Sequence, residues 1–207
     1  MNKTRINPDL ENQIFKKMMN ARQKSKGYAS FWDWPEKPTK ERGIVCDLLE
    51  AIEADGGQHG IVEVRPYKSD PPDCIGLTND GQLVAFEVTE LVDRETIARN
   101  KHGQCVWQEW SSSELTATIR QIVKKKDSKH FHGGPYSKMF LVIHTDEPLL
   151  RHADCEVILR GQNFGPCKQI TDVYLLFSFV PGRESYPFLR LKTDGLFDSA
   201  QVANLAT

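Results

Sequence analysis

Residues 71 to 90 read Pro-Pro-Asp-Cys-Ile-Gly-Leu-Thr-Asn-Asp-Gly-Gln-Leu-Val-Ala-Phe-Glu-Val-Thr-Glu, and this stretch decides the fold. Cys74, Ile75 and Leu77 lead into Thr78-Asn79-Asp80-Gly81. Asp-Gly between apolar runs is a strong β-hairpin signal, because glycine accepts the positive φ that tight hairpin turns require. Leu83, Val84, Ala85, Phe86 and Val88 form the returning strand. They are apolar on both faces, which predicts a strand covered on both sides of a sheet.

Two acids interrupt this apolar hairpin. Asp73 opens its first strand and Glu87 lies near the end of its second, so the fold-back can set them side by side. A carboxylate in an apolar strand is costly unless it is paired, hydrogen-bonded or bound to a metal. Paired carboxylates at one end of a sheet suit a hard divalent cation such as Mg²⁺, which accepts one or two carboxylates and retains waters. The plainer alternative is a turn aspartate beside a salt-bridged core glutamate.

Working outward, Thr39 to Ala54 reads as an amphipathic helix. Ile44, Val45, Leu48, Leu49 and Ile52 form its apolar stripe, Thr39 is a candidate cap with Glu41 in the first turn, and Gly56-Gly57 ends it. Ile61 to Tyr67 reads as a strand. Lys68 to Pro72 is a loop that delivers the chain to Asp73. Beyond the hairpin, Thr96 to Ala98 can begin a helix that Lys101-His102-Gly103 breaks. Ser111 with Glu114 signals a capped helix running through Leu115, Ile119, Ile122 and Val123 to Lys126. Met139 to His144, Val173 to Val180 and Phe188 to Leu191 read as strands, and Asp154 to Leu159 as a short helix or strand. On the amino-terminal side, Leu10, Ile14, Phe15, Met18 and Met19 recur at helical spacing over residues 8 to 24. An aromatic loop with Phe31, Trp32 and Trp34 follows.

The expected organisation is α/β, a mixed central sheet flanked by helices. Residues 1–38 form an amino-terminal helix and aromatic loop packed on the core, 39–197 the main domain, and 198–207 a tail. At 207 residues the chain can bury a core, and its apolar content of 39% and charged content of 27% are those of an ordinary globular protein. No apolar run is long enough for a membrane span, and the polar start lacks the apolar segment of a signal peptide. The five cysteines are odd in number and scattered, which predicts reduced thiols and a cytoplasmic protein. A formal net charge of −1 gives no overall preference for nucleic acid. Lysines nevertheless cluster at Lys124, Lys125 and Lys126. Such a run can meet a phosphate backbone, or can be a solvated helix end complementing the dipole. His130 and His132 form a His-x-His pair with no further ligand nearby in sequence.

With its acids in place, the order helix, strand, hairpin, helix, strand, strand resembles the PD-(D/E)xK nuclease superfamily, the restriction-endonuclease-like fold, over residues 39 to about 145. The layout is similar to that of the archaeal Holliday-junction resolvases. The matching residues are Glu41-Arg42 on the first helix, Pro72-Asp73 at the hairpin and Glu87-Val88-Thr89 on the next strand. The resemblance implies that Glu41, Asp73, Glu87 and the Val88 carbonyl gather Mg²⁺ or Mn²⁺. It implies metal-dependent cleavage of DNA phosphodiester bonds, with Lys68, Lys124, Lys125 and Lys126 on the nucleic acid, and a homodimer in which two copies cut two strands. Thr89 departs from the pattern, which has a lysine there to stabilise transition-state charge. Lys124, Lys125 or Lys101 can supply the missing cation, with Gln104 or Gln121 orienting water. The alternative implied by Thr89 is a nuclease-like fold without chemistry that binds nucleic acid or a protein partner.

Overall fold

The computed structural model describes residues 29, 31–32, 34–178, 180 and 182–194. The helix expected over residues 8 to 24 and the tail from residue 198 lie outside the described residues. Helix α1 (Lys37–Ala54) is followed by strands β1 (Ile61–Pro66), β2 (Cys74–Thr78) and β3 (Leu83–Glu90). Helices α2 (Arg94–Lys101) and α3 (Ser112–Asp127), strand β4 (Lys138–Thr145), helix α4 (His152–Leu159) and strands β5 (Asp172–Phe177) and β6 (Phe188–Leu191) complete the order.

The fold is α/β, with a six-stranded open sheet in the order β1-β2-β3-β4-β5-β6. The pairs β1–β2, β2–β3 and β5–β6 are antiparallel, while β3–β4 and β4–β5 are parallel. Hairpins explain the antiparallel half. The parallel half needs crossovers, which α2 with α3 and then α4 provide.

Side-chain alternation sorts the sheet into two apolar layers. Val84, Phe86, Val88, Val142 and Leu176 pack against Ile44, Val45, Leu48 and Leu49 of α1. Leu141, Ile143, Val173 and Leu175 pack against Leu115, Ile119 and Val123 of α3, and against Cys155 and Leu159 of α4. Phe86 and Phe140 stack with centroids 5.0 Å apart. Burying so many large apolar side chains on both faces, at about 1.5–3 kcal/mol each, holds the three central strands between helical layers.

Local signals decide the element ends, and some differ from expectation. Helix α1 starts at Lys37, two residues before Thr39, because Pro38 is well suited to a first turn. Thr39 is therefore inside the helix, where its hydroxyl donates to Glu36 Oε2 at 3.2 Å. Glu41 therefore lies beyond the first turn, not in it as expected, and does not complement the helix dipole there. Gly56, at φ +80°, closes α1, and its N–H donates to the Glu53 carbonyl at 3.0 Å. The cap on α3 is the reciprocal pair that its sequence predicts, Ser111 with Glu114. Strand β5 ends at Phe177, short of Val180. The ambiguous segment at 154 to 159 is helical.

The aromatic loop folds onto the body in part. Trp32 packs edge-on against His144 at 5.1 Å and donates to Asp47 at 2.9 Å, while Trp34 is largely exposed. All five cysteines are free thiols, Cys74 buried and Cys46 only half-buried. No helix among the described residues is long and apolar enough to cross a membrane.

Candidate metal centre

Strand register brings the acids of the hairpin together. Cys74 stands opposite Phe86, so the next position along sets Asp73 opposite Glu87. The Asp73 N–H donates to the Phe86 carbonyl at 3.0 Å. There the ladder stops, because residues 70 to 72 turn the chain away and leave β3 without a β2 partner past Glu87. The Asp73 carboxylate takes the place of the missing strand: its Oδ2 accepts from the Val88 N–H at 2.8 Å. The Val88 carbonyl on the same open edge accepts from Lys126 Nζ at 3.2 Å.

Glu87 is aligned with Leu141 of β4 and shares its face, so it points toward α3. That helix ends beside it. Lys126 Nζ is 2.5 Å, and Lys129 Nζ 2.7 Å, from Glu87 Oε1. The Glu87 side chain is only 1% exposed, and its Oε2 has no hydrogen-bond partner among the described residues. An ionised carboxylate so deeply buried is stable only with this cationic company.

Asp70 completes the cluster. Oxygens of Asp70, Asp73 and Glu87 lie within 4.8 Å of one another. Opposite oxygens on one Mg²⁺ lie up to about 4.2 Å apart, and Ca²⁺ bonds are longer, so the cluster is close to the size of a single divalent cation. The Oε2 of Glu87, which no hydrogen bond among the described residues engages, adds a further oxygen ligand. The donor set, all carboxylate oxygen, is that of a hard cation. These residues fit a metal.

On the α1 side of the cluster lies Glu41, with Lys37 Nζ 3.3 Å from its Oε1, 2.9 Å from Asp70 Oδ2 and 3.5 Å from Asp73 Oδ1. Burial, with the charge of Asp73 and a hydrogen bond to it, pushes the Glu41 carboxyl up from 4.5 to about 7, against the opposing pull of Lys37. The hydrogen bond from Lys37 holds the exposed Asp70 carboxyl below its ordinary value. The same bond holds the Lys37 ammonium well above its own, despite partial burial. Burial pulls the Lys129 ammonium down, but the Glu87 hydrogen bond and the charges of Glu87, Asp70 and Asp73 outweigh it, and its pKa is raised. Four carboxyl groups (Glu41, Asp70, Asp73 and Glu87) thus face three lysines (Lys37, Lys126 and Lys129).

The structure therefore gathers Glu41, Asp73, Glu87 and Val88 at one end of the sheet, and adds Asp70, Lys37 and Lys129. The carbonyl of Val88 faces a lysine rather than standing open. Thr89 is half-buried and lines an adjoining cleft with Lys125 and Lys126. Of the lysines named for the missing cation, Lys124 is directed elsewhere: it lines a separate hollow with Arg120, Phe164 and Lys168. Lys126, read from sequence as a contact to nucleic acid, is on Glu87 together with Lys129. Lys68 is exposed on the loop after β1, and Lys101 is exposed at the end of α2. Gln104 accepts from Arg99 at 3.0 Å. The rings of His130 and His132 stand 5.3 Å apart, and among the described residues no third metal-capable side chain joins them.

Asp70 was missed, read only as part of the loop before β2; the available signal was an acid three residues before Asp73, across two prolines. The roles of Lys37 and Lys129 beside the acids were not legible, because they depend on how two helix ends meet the sheet. Comparison with protein-family models, with curated proteins and with solved structures finds no match to this chain.

Proposed function

We propose that this chain is a metal-dependent endonuclease that hydrolyses phosphodiester bonds of DNA, built on a restriction-endonuclease-like core. The observation that carries the reading is the position of Lys126. Its ammonium bridges Glu87 Oε1 and the Val88 carbonyl, on the open edge of β3 and one residue before Thr89. A cation from α3 thus stands beside the strand position that lacks one.

Asp70, Asp73 and Glu87 would hold Mg²⁺ or Mn²⁺, which when bound polarises a phosphate oxygen and lowers the pKa of a coordinated water. Asp73 has one oxygen on the Val88 N–H, which fixes the carboxylate against the strand. Lys126 and Lys129 offset charge building on the phosphate, and either can orient an attacking water. The Thr89 hydroxyl lies on the same face of β3 as Glu87 and can hydrogen-bond a phosphate oxygen, without contributing charge. Glu41 exchanges a proton near neutrality, beside Asp73 and Lys37.

A specific observation favours a second reading. Both lysines already neutralise Glu87, so the chain can also serve as a DNA-binding module without chemistry.

The test is a plasmid and a branched DNA incubated in Mg²⁺ or Mn²⁺ with wild type, Lys126→Ala and Lys124→Ala. Wild type cleaves, Lys126→Ala slows by about 100-fold or more, as for loss of one group stabilising transition-state charge, and Lys124→Ala stays within a few-fold. Wild-type rates from Lys126→Ala refute the assignment. A salt-sensitive gel shift without cleavage supports the binding module.

A further inference from the structure

A cleft of about 560 Å³ opens between the end of β3, residues 91–94 leading into α2, and α3. It adjoins the carboxylates. Thr89, in its β3 wall, is two residues beyond Glu87 on the same face of the strand, and Lys126 reaches from the α3 wall to Glu87. We propose that this cleft receives one unstacked nucleotide next to the scissile phosphate, so that the preferred substrate is DNA with an unpaired base and not an intact duplex. The inference rests on the nuclease reading for its scissile phosphate, but its binding preference is independent of turnover.

Size is the first argument. The cleft falls within the range of small-molecule sites, about 300–1,000 Å³, which suits a mononucleotide and excludes a duplex. Its wall chemistry is the second. Trp110 lines the cleft and offers aromatic surface there, while its indole nitrogen is itself buried. The Gln121 amide, also in the wall, offers both donors and an acceptor. A base extruded from its stack is held by such edge contacts and by apolar or aromatic surfaces, and extrusion costs least when the base is already unpaired.

Charge is the third argument. Lys125 and Lys126 line the α3 side, where a backbone phosphate would pass toward Glu87. The wall holds three acids, Glu90, Asp93 and Glu114, against Arg94, Lys125 and Lys126, and two of the three acids are engaged locally. Asp93 Oδ2 accepts from the Thr96 N–H at 2.6 Å, and Glu114 is bound in the Ser111 cap.

The test is fluorescence anisotropy with two labelled short DNA duplexes in Ca²⁺, identical except that one carries a single unpaired nucleotide. Wild type is expected to bind the second at least about tenfold more tightly, as for a site that selects an extrudable base. Thr118→Trp and Gln121→Trp, two independent fillings of the cleft checked for folding by circular dichroism, lose that preference. Equal binding of the two duplexes by wild type overturns the proposal, as does a preference retained in both filled variants. The preference in a protein that cleaves nothing supports the cleft and removes the nuclease reading. Cleavage of both duplexes with equal binding overturns the cleft alone.

Discussion

Glu41 offers a sharp quantitative test, made on metal-free protein in EDTA. Its carboxyl is raised from 4.5 to about 7 by burial and by Asp73, with Lys37 acting in the opposite sense. The folded state therefore holds this proton more tightly than the unfolded chain. The stability it contributes is fully present below about pH 4.5 and is lost as pH rises through about 7. A change from 4.5 to about 7 corresponds to about 3 kcal/mol at most. The side chain is 12% exposed and partly hydrated, so solvent screening reduces this to about 1–2 kcal/mol.

Glu41→Gln keeps the shape and a hydrogen-bonding group but cannot ionise. It is expected to match wild type at pH 4 and to be more stable by about 1–2 kcal/mol at pH 8. For a chain of this size that is a rise of about 2–8 °C in Tm. Lys37 loses one partner but retains Asp70 at 2.9 Å. Urea unfolding followed by circular dichroism at the two pH values measures the difference. A variant less stable than wild type at pH 8 would refute the reasoning, because the Lys37–Glu41 ion pair would then outweigh burial and Asp73.

Further outcomes follow from the same structure. Saturating Mg²⁺ or Mn²⁺ should raise the stability of wild type, by about 2.7 kcal/mol at 100 times Kd, and should leave the Tm of Asp73→Asn nearly unmoved in a thermal melt. Gly76→Ala places a Cβ 2.9 Å from Val84 Cγ2 and 3.1 Å from the Glu63 carbonyl. Overpacking there should cost about 1–3 kcal/mol in urea unfolding. Asp127 accepts from the backbone N–H groups of Lys168, Gln169 and Ile170 at 2.8 to 3.0 Å, anchoring the segment before β5 to the end of α3. Asp127→Ala strands three donors and should cost about 3 kcal/mol or more by the same measurement.

The hairpin was legible because local chemistry determines it: Asp80-Gly81 turns the chain, and alternation carries Asp73 opposite Glu87. The capped start of α3 was equally local, since Ser111 and Glu114 satisfy each other within one turn. The start of α1 was misjudged because Thr39 looked like a cap while Pro38 was already helical. The site was half legible. Its acids interrupt an apolar pattern and announce themselves, whereas its cations lie at helix ends whose reach depends on tertiary packing. Lys124, Lys125 and Lys126 are alike in sequence. Which of them meets Glu87 depends on the face that α3 turns toward β3, and that face is determined by Leu115, Ile119 and Val123 packing on the sheet. Asp70 and Lys37 meet only because the loop before β2 comes back across the first turn of α1.

The central claim is that the carboxylates at the end of β3 support metal-dependent hydrolysis. It is tested most directly by the nicking rate of supercoiled plasmid in Mn²⁺, comparing wild type with a folded Glu87→Ala variant purified identically. Nicking by wild type that requires the metal and disappears in Glu87→Ala is the predicted result. Equal nicking by both proteins, or none by either across duplex, single-stranded and branched DNA, would contradict it.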